Sequence, residues 1–277
     1  MRCLAALADQ PPFQAEDLFL VDDGSSDGTG EAVGAMLPAA HVIRGSGDLF
    51  WNGGMRLAWD AALAAPADYT HFLWLNDDVV LFPGALAALL EDAAEVTPDD
   101  GAVIVAGATA DPDTGKPTYG GQRAARRSRP LRLRVVAPVG APDPVQTVSG
   151  NVVLVSAEAE RRLGNLDPTF EHIYGDLDYG FRAGAAGIPI FQASALAGTC
   201  SGPSPVSGAH DPQLGRWSRI RARLSAETKV HGRDWRRFLR RHSGLGPLWW
   251  LYSVSPYVRL LLGGEPSKRS PDGTSPA

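Results

Sequence analysis

Leu73-Trp74-Leu75-Asn76-Asp77-Asp78-Val79 decides the fold. An apolar run of strand character ends abruptly in an Asn-Asp-Asp cluster. Residues 17–21 (Asp-Leu-Phe-Leu-Val) do the same, ending in Asp22-Asp23. In an α/β protein, carboxylates at strand ends point into the crevice where ligands bind. Aspartates placed there suit a hard divalent cation, which takes oxygen ligands and bridges to phosphate. Taken one at a time, such clusters also read as turn formers or helix caps. Two of them, with a third at Asp176 and Asp178, weigh against that reading.

Working outward, strands and helices alternate. Residues 22–29 form a polar loop rich in turn formers, and a helix over 31–37 follows. A short strand is expected at 41–43, and Gly53-Gly54 opens a helix with apolar residues at helical spacing. Residues 71–75 read as a buried strand, 83–96 as an amphipathic helix opening on Pro83, and 102–106 as another strand. This alternation predicts a mostly parallel central sheet flanked by helices. After Gly107 the pattern shifts to Pro-, Gly- and Arg-rich loops, with strand-like sequence again over 145–156. A short helix is expected at 158–163, and another over 179–186 with Asp176 and Asp178 near its start. The expected organisation is a catalytic-type domain at 1–203, a basic and aromatic helical appendage at 204–263, and a disordered tail at 264–277.

Bulk properties fit one large domain with an appendage. Of 277 residues, only Cys3 and Cys200 are cysteines, which gives no disulfide framework and fits a reducing, cytoplasmic compartment. No stretch reads as a signal peptide or as a clear membrane span. The net charge of −5 hides an asymmetry: residues 216–241 carry nine Arg and Lys229 against Glu227 and Asp234. The acidic whole and the lack of a binding motif argue against nucleic acid as a partner.

Three motifs occur in order: residues 21–29 (Val-Asp-Asp-Gly-Ser-Ser-Asp-Gly-Thr), 75–79 (Leu-Asn-Asp-Asp-Val) and 174–178 (Tyr-Gly-Asp-Leu-Asp). Together they resemble the family-2 inverting glycosyltransferases, which adopt the GT-A type nucleotide-diphospho-sugar transferase fold. The resemblance covers roughly residues 1–200. It implies that Asp22 and Asp23, with Gly24 and Ser25, lie at the nucleoside, where a carboxylate accepts from a base imide or ribose hydroxyls. Asn76-Asp77-Asp78 falls on the family's Asp-x-Asp metal motif, with Asn in its first position. Asp78, supported by Asp77, is then the expected ligand for Mg²⁺ or Mn²⁺, which neutralises the diphosphate leaving group. Asp176 falls on the catalytic-base position, where relatives more often have Glu-Asp than the Gly175-Asp176 found here. Asp178 is expected to orient acceptor or base, with helix capping as the competing role.

Residues 48–56 (Asp-Leu-Phe-Trp-Asn-Gly-Gly-Met-Arg) resemble the family's Gly-Asn-rich loop before the second helix. Its glycines let backbone approach a diphosphate, and a helix N-terminus favours anions. Arg56 then pairs with phosphate or is a solvated helix charge, and Trp51 stacks on sugar or base or packs in the core. Gly150 and Asn151 match a position near donor sugar and acceptor. The His that completes the metal site in many relatives falls near Cys200, whose thiolate is a poor match for Mg²⁺. Relatives also begin with a buried strand and a base-gripping loop, before the helix that corresponds here to residues 2–8. This chain opens inside that helix, so the expectation is either a start upstream of Met1 or a sheet lacking its first strand.

The resemblance implies transfer from a dTDP- or UDP-linked sugar to a cell-surface glycan or lipid-linked acceptor, as in bacterial rhamnosyltransferase-like members. A nucleotidyltransferase and a non-catalytic glycan- or partner-binding relative stay open as alternatives. The arginines of 216–241, followed by Leu248-Trp249-Trp250-Leu251-Tyr252, suit an anionic membrane surface. That places the protein in the cytoplasm, peripheral on the inner face of the cell membrane if the arm touches lipid. The competing role for this arm is plain packing.

Overall fold

In the strand Ile104–Ala110 all seven residues are buried. The computed structural model describes residues 1–126, 129–202, 215, 217–218, 221 and 226–261. The chain divides into two compact units, Met1–Gly202 and Pro203–Ala277. The expected tail at 264–277 and the loop after Ser204 lie outside the described residues.

In chain order the first unit holds α1 (Arg2–Ala8), β1 (Phe19–Asp22), α2 (Thr29–Met36), β2 (His41–Arg44), α3 (Phe50–Ala64), β3 (His71–Leu75), β4 (Val80–Leu81) and α4 (Ala85–Val96). Then come β5 (Ile104–Ala110), β6 (Pro117–Tyr119), β7 (Gly121–Arg126), β8 (Arg129–Val135), β9 (Asp143–Pro144), β10 (Thr147–Val148), β11 (Val152–Ser156), α5 (Ala157–Leu163), α6 (Gly175–Ala185) and β12 (Ile190–Thr199). The main sheet runs β3-β11-β5-β12-β4. Alternation along its centre sorts the core onto two faces. Ile104, Ala106, Val153 and Val155 join Trp59, Trp74 and Tyr179 on one face, while Val105, Val152 and Leu154 join Leu7, Leu89 and Ala197 on the other. Helices therefore cover both faces, and the strands between them are apolar on both sides.

The sheet is mixed, not mostly parallel as expected. β11 runs antiparallel to both β3 and β5, and β4 runs antiparallel to β12. β5 and β12 run parallel. The cause is the connection: parallel neighbours need a long crossover, usually helical. Between β5 and β11 the chain instead makes short strands, with β7 antiparallel to β8 and β10, so β11 enters the sheet from its other end. β1 and β2 pair in parallel as a separate two-stranded sheet.

The second unit contains α7 (Ala226–His242), a 3₁₀ turn (Gly246–Trp249) and α8 (Trp250–Leu261). Within α7, Phe238 and Leu239 are buried while Arg236, Arg237 and Arg240 are exposed. Trp235 stacks on Phe238, and Arg237 pairs with the buried Asp234 at 3.4 Å.

Candidate active site

A cavity of about 1080 Å³ gathers the first two acidic clusters: Asp22, Asp23, Asn76, Asp77 and Asp78 all line it. The strand ends put them there, since β1 closes on Asp22 and β3 on Leu75. The turn after β3 is closed by the Val79 N–H, which donates to the Asn76 carbonyl at 3.2 Å. Beneath it lie two thiols. Cys3 Sγ donates to the Asn76 carbonyl at 3.4 Å, and Asn151 Nδ2 lies 3.7 Å from Cys200 Sγ. Burial, then the charge of Asp77, pushes the Cys3 thiol up to about 11; burial, then Asp78, pushes Cys200 up to about 12. Both thiols are buried and free.

The two aspartates after β1 have different duties. Asp22 accepts from the Ser25 N–H at 2.9 Å; the Ser25 hydroxyl, then that N–H, with Arg44 nearby, hold its carboxyl below the usual range. Asp23 reaches across to the loop before α3, accepting from Gly47 N–H at 2.7 Å and Leu49 N–H at 2.8 Å. Its two oxygens thus fix the chain entering α3, and Gly24 sits in the turn with φ +81°.

That helix starts earlier than expected, at Phe50, so Gly53 and Gly54 fall within it. Trp51 lines the cavity and donates from Nε1 to Asn76 Oδ1 at 2.7 Å. Asn52 is fully buried, and its Nδ2 donates to the carbonyls of Asp167 at 3.0 Å and Phe170 at 2.8 Å. Arg56 turns the same way, bonding the Leu166 carbonyl with Asp60 3.9 Å off. Neither Asn52 nor Arg56 lines the cavity; both brace the segment before α6. Phe50 and Tyr174 have positive φ, +52° and +71°, each beside a helix start at this site. Side chains rarely accept that backbone, and strain of this kind clusters at functional sites.

Asp176 lies in the first turn of α6, not ahead of it, since the helix begins at Gly175 with Tyr174 as its cap. The carboxylate accepts from Gly150 N–H at 2.9 Å and from its neighbour Leu177 N–H at 2.8 Å. Burial outweighs these donors and raises its pKa above the ordinary value. Gly150 is squeezed between both partners: a Cβ there would sit 2.3 Å from the Trp51 ring and 3.3 Å from Asp176 Cβ. So Trp51, Gly150 and Asp176 adjoin, and the indole links them to Asn76. Asp178 is fully buried and pairs with Arg182 at 2.9 Å.

Among the described residues, no group of three or more His, Cys, Asp or Glu converges to hold a metal ion. Asp77 and Asp78 alone fit a cation shared with a diphosphate, because Mg²⁺ is commonly held by one or two carboxylates plus substrate phosphates. They do not fit a closed all-protein metal cage.

Sequence reasoning missed three things here. It gave no sign of the strained Phe50, of the Trp51–Asn76 bond, or of Gln122, whose Nε2 donates to Ser149 Oγ at 2.7 Å beside Gly150. Loop-to-loop contacts of this kind leave no periodic signal.

Against known proteins, no curated protein matches the chain. Among solved structures it is similar to one described as "Crystal structure of GalNAc-T7 with UDP, GalNAc and Mn2+", with a TM-score of 0.47 and 11% identity. That match covers 79% of this chain and 44% of the other, so the chain spans less than half the length of that relative. Glycosyl transferase family 2 matches residues 1–150, more than half of the chain. With its helices layered on sheets and its acidic strand ends gathered on one cavity, this chain belongs to glycosyl transferase family 2.

Proposed function

We propose that this protein transfers a sugar, with inversion, from a nucleotide diphosphate donor to a hydroxyl of a cell-surface glycan or lipid-linked acceptor. The setting of Asp176 carries this reading. Its carboxylate is held by two backbone N–H groups beside Trp51, with its pKa raised by burial. A base works best when its pKa approaches the working pH. Asp176 takes the proton of the acceptor hydroxyl while that oxygen attacks the anomeric carbon. The bond to the diphosphate breaks on the opposite side, and the anomeric configuration inverts.

Asp22 accepts from the nucleoside, dTDP- or UDP-type by the acceptor-only chemistry of a carboxylate. Asp23 positions the loop that leads into α3. A Mg²⁺ or Mn²⁺ held by Asp78 and Asp77 would neutralise charge developing on the leaving diphosphate. A deoxyhexose such as rhamnose is the donor sugar we favour.

The second unit offers a lipid-facing surface. Leu251, Val254, Val258 and Leu261 recur at helical spacing along α8 and are exposed, and Arg240 and Arg241 end α7 nearby in sequence. Amphipathic helices flanked by arginine lie on anionic membranes. No helix among the described residues is long and apolar enough to cross one.

A binding-only relative is the second reading. The test separating the two is Asp176→Asn. Loss of about 10²–10⁴-fold in transfer, with donor binding kept, supports the enzyme. Near-normal transfer removes Asp176 from the role of base.

A further inference from the structure

We propose that the arginine-bearing face of the β7–β8 hairpin, together with the apolar loop 136–142 that follows it, is a contact surface for an anionic lipid bilayer. The inference rests neither on the reaction proposed above nor on the second unit.

Charge is segregated in this part of the chain. Residues 114–142 contain six arginines and Lys116 but no acidic residue, in a protein whose net charge is −5. Within β8 the arginines alternate with apolar residues: Arg132 and Arg134 are exposed, while Leu131, Leu133 and Val135 are half-buried. A strand sends alternate side chains to opposite faces, so β8 has one arginine face and one apolar face. The register adds Arg123 to the arginine face, because it lies directly opposite Arg134. Gln122, opposite Val135, is on the other face, where its amide reaches Ser149. Arg126, which ends β7, is exposed as well.

Folding alone does not account for this surface. Like charges directly opposite one another destabilise a strand pair. Asp143 offsets Arg123 at 2.6 Å, and Arg123 also donates to the Pro144 carbonyl at 2.6 Å. β8 is an edge strand, and charge on an edge deters pairing with another sheet. The loop beside it has the opposite character. Residues 135–142 (Val-Val-Ala-Pro-Val-Gly-Ala-Pro) carry no charged and no hydrogen-bonding side chain. Ala137, Val139, Gly140 and Ala141 are exposed, Val139 to 68%.

The loop is held in place. The Val136 N–H donates to the Gly121 carbonyl at 2.9 Å, and the Gly140 N–H donates to the Ser194 carbonyl at 3.0 Å. Asp143 follows the loop and is the partner of Arg123, so the loop is fastened to the arginine face.

An ordered apolar loop beside exposed arginines matches the two layers of an anionic membrane surface. Guanidinium groups pair with lipid phosphates, while apolar side chains enter the boundary with the acyl chains. An acidic glycan would satisfy the arginines and leave the loop in water. The loop therefore decides for the bilayer.

The test places a polarity-sensitive fluorophore on Val139→Cys in the full chain, whose own two cysteines are buried. With phosphatidylserine-containing vesicles its emission should shift to the blue, and quenchers on the lipid acyl chains should dim it. Phosphatidylcholine vesicles should produce neither change. Arg132→Ser with Arg134→Ser should lower partition onto the anionic vesicles by about 30-fold, about fivefold for each arginine. Both positions are exposed, so the fold should be kept, which circular dichroism checks. Vesicle binding that leaves the Val139 probe in water overturns the proposal, because the contact then lies elsewhere on the chain. Partition unchanged by the two arginine substitutions overturns it equally. Arginine-dependent binding of soluble polygalacturonate, with no lipid-induced shift at Val139, gives the face to an acidic glycan instead. None of these readouts involves nucleotide or sugar transfer, so failure here is separate from failure of the enzymatic reading.

Discussion

Trp51 Nε1 donates to Asn76 Oδ1 across 2.7 Å, tying the first turn of α3 to the acidic turn after β3. An indole N–H is a donor only, so it needs an acceptor in that place. Asn supplies one without adding a third negative charge beside Asp77 and Asp78. The residue is thus fixed as part of the scaffold that aims the two aspartates. Trp51→Phe keeps the ring and removes the donor. It should cost about 0.5–1.5 kcal/mol in stability, measured by urea unfolding, and should weaken donor binding in calorimetry. Unchanged donor binding would separate this bond from the site.

Gly175 and Asn52 form a second pair that only make sense together. A Cβ at Gly175 would lie 1.9 Å from Asn52 Oδ1, inside any tolerable contact. That oxygen is buried and has no hydrogen-bond partner among the described residues, while Nδ2 of the same amide holds the carbonyls of Asp167 and Phe170. Gly175 is therefore matched to Asn52. Gly175→Ala should destabilise by about 1–3 kcal/mol through overpacking, seen as a lower urea midpoint. A midpoint equal to the wild type would show that Asn52 can swing aside at no cost.

The pH dependence of transfer follows from Asp176. Its pKa is raised because burial outweighs the Gly150 and Leu177 donors. A base acts when ionised, so kcat/KM should fall as pH drops through that raised value and be flat above it. The acid limb is expected above the ordinary Asp range near ~3.9. A limb centred in the ordinary range would mean that a different, solvated carboxylate controls the rate.

Membrane contact by the second unit is a question of vesicles and salt. The full chain should co-sediment with phosphatidylserine-containing vesicles and release as ionic strength rises, since exposed charges are screened beyond about 10 Å at 0.1 M salt. Leu251→Ser with Val254→Ser should reduce binding, because both are exposed on α8. Equal binding to neutral and anionic vesicles would contradict the role given to Arg240 and Arg241.

What the sequence made legible follows the range of each interaction. The clusters at Asp22 and Asp78 were readable because they sit where short apolar runs stop, a local pattern, and both reach one cavity. The sense of the sheet was not. It depends on how the chain returns from β5 to β11, and alternating strand and helix signals do not encode that. Asn52 and Arg56 looked like donor ligands by their place in a loop motif, yet α3 begins at Phe50 and turns both toward the carbonyls of residues 166–170. The pairing of Asp178 with Arg182, one turn on along α6, is a helical contact that the motif alone did not reveal.

The most direct test of the central claim is calorimetric titration of UDP, dTDP and GDP, with and without Mn²⁺, into the 277-residue chain. We predict that one nucleotide binds, that Mn²⁺ tightens it, and that Asp78→Ala abolishes the metal's effect. No binding of any nucleotide, or binding indifferent to both Mn²⁺ and Asp78→Ala, would contradict the account.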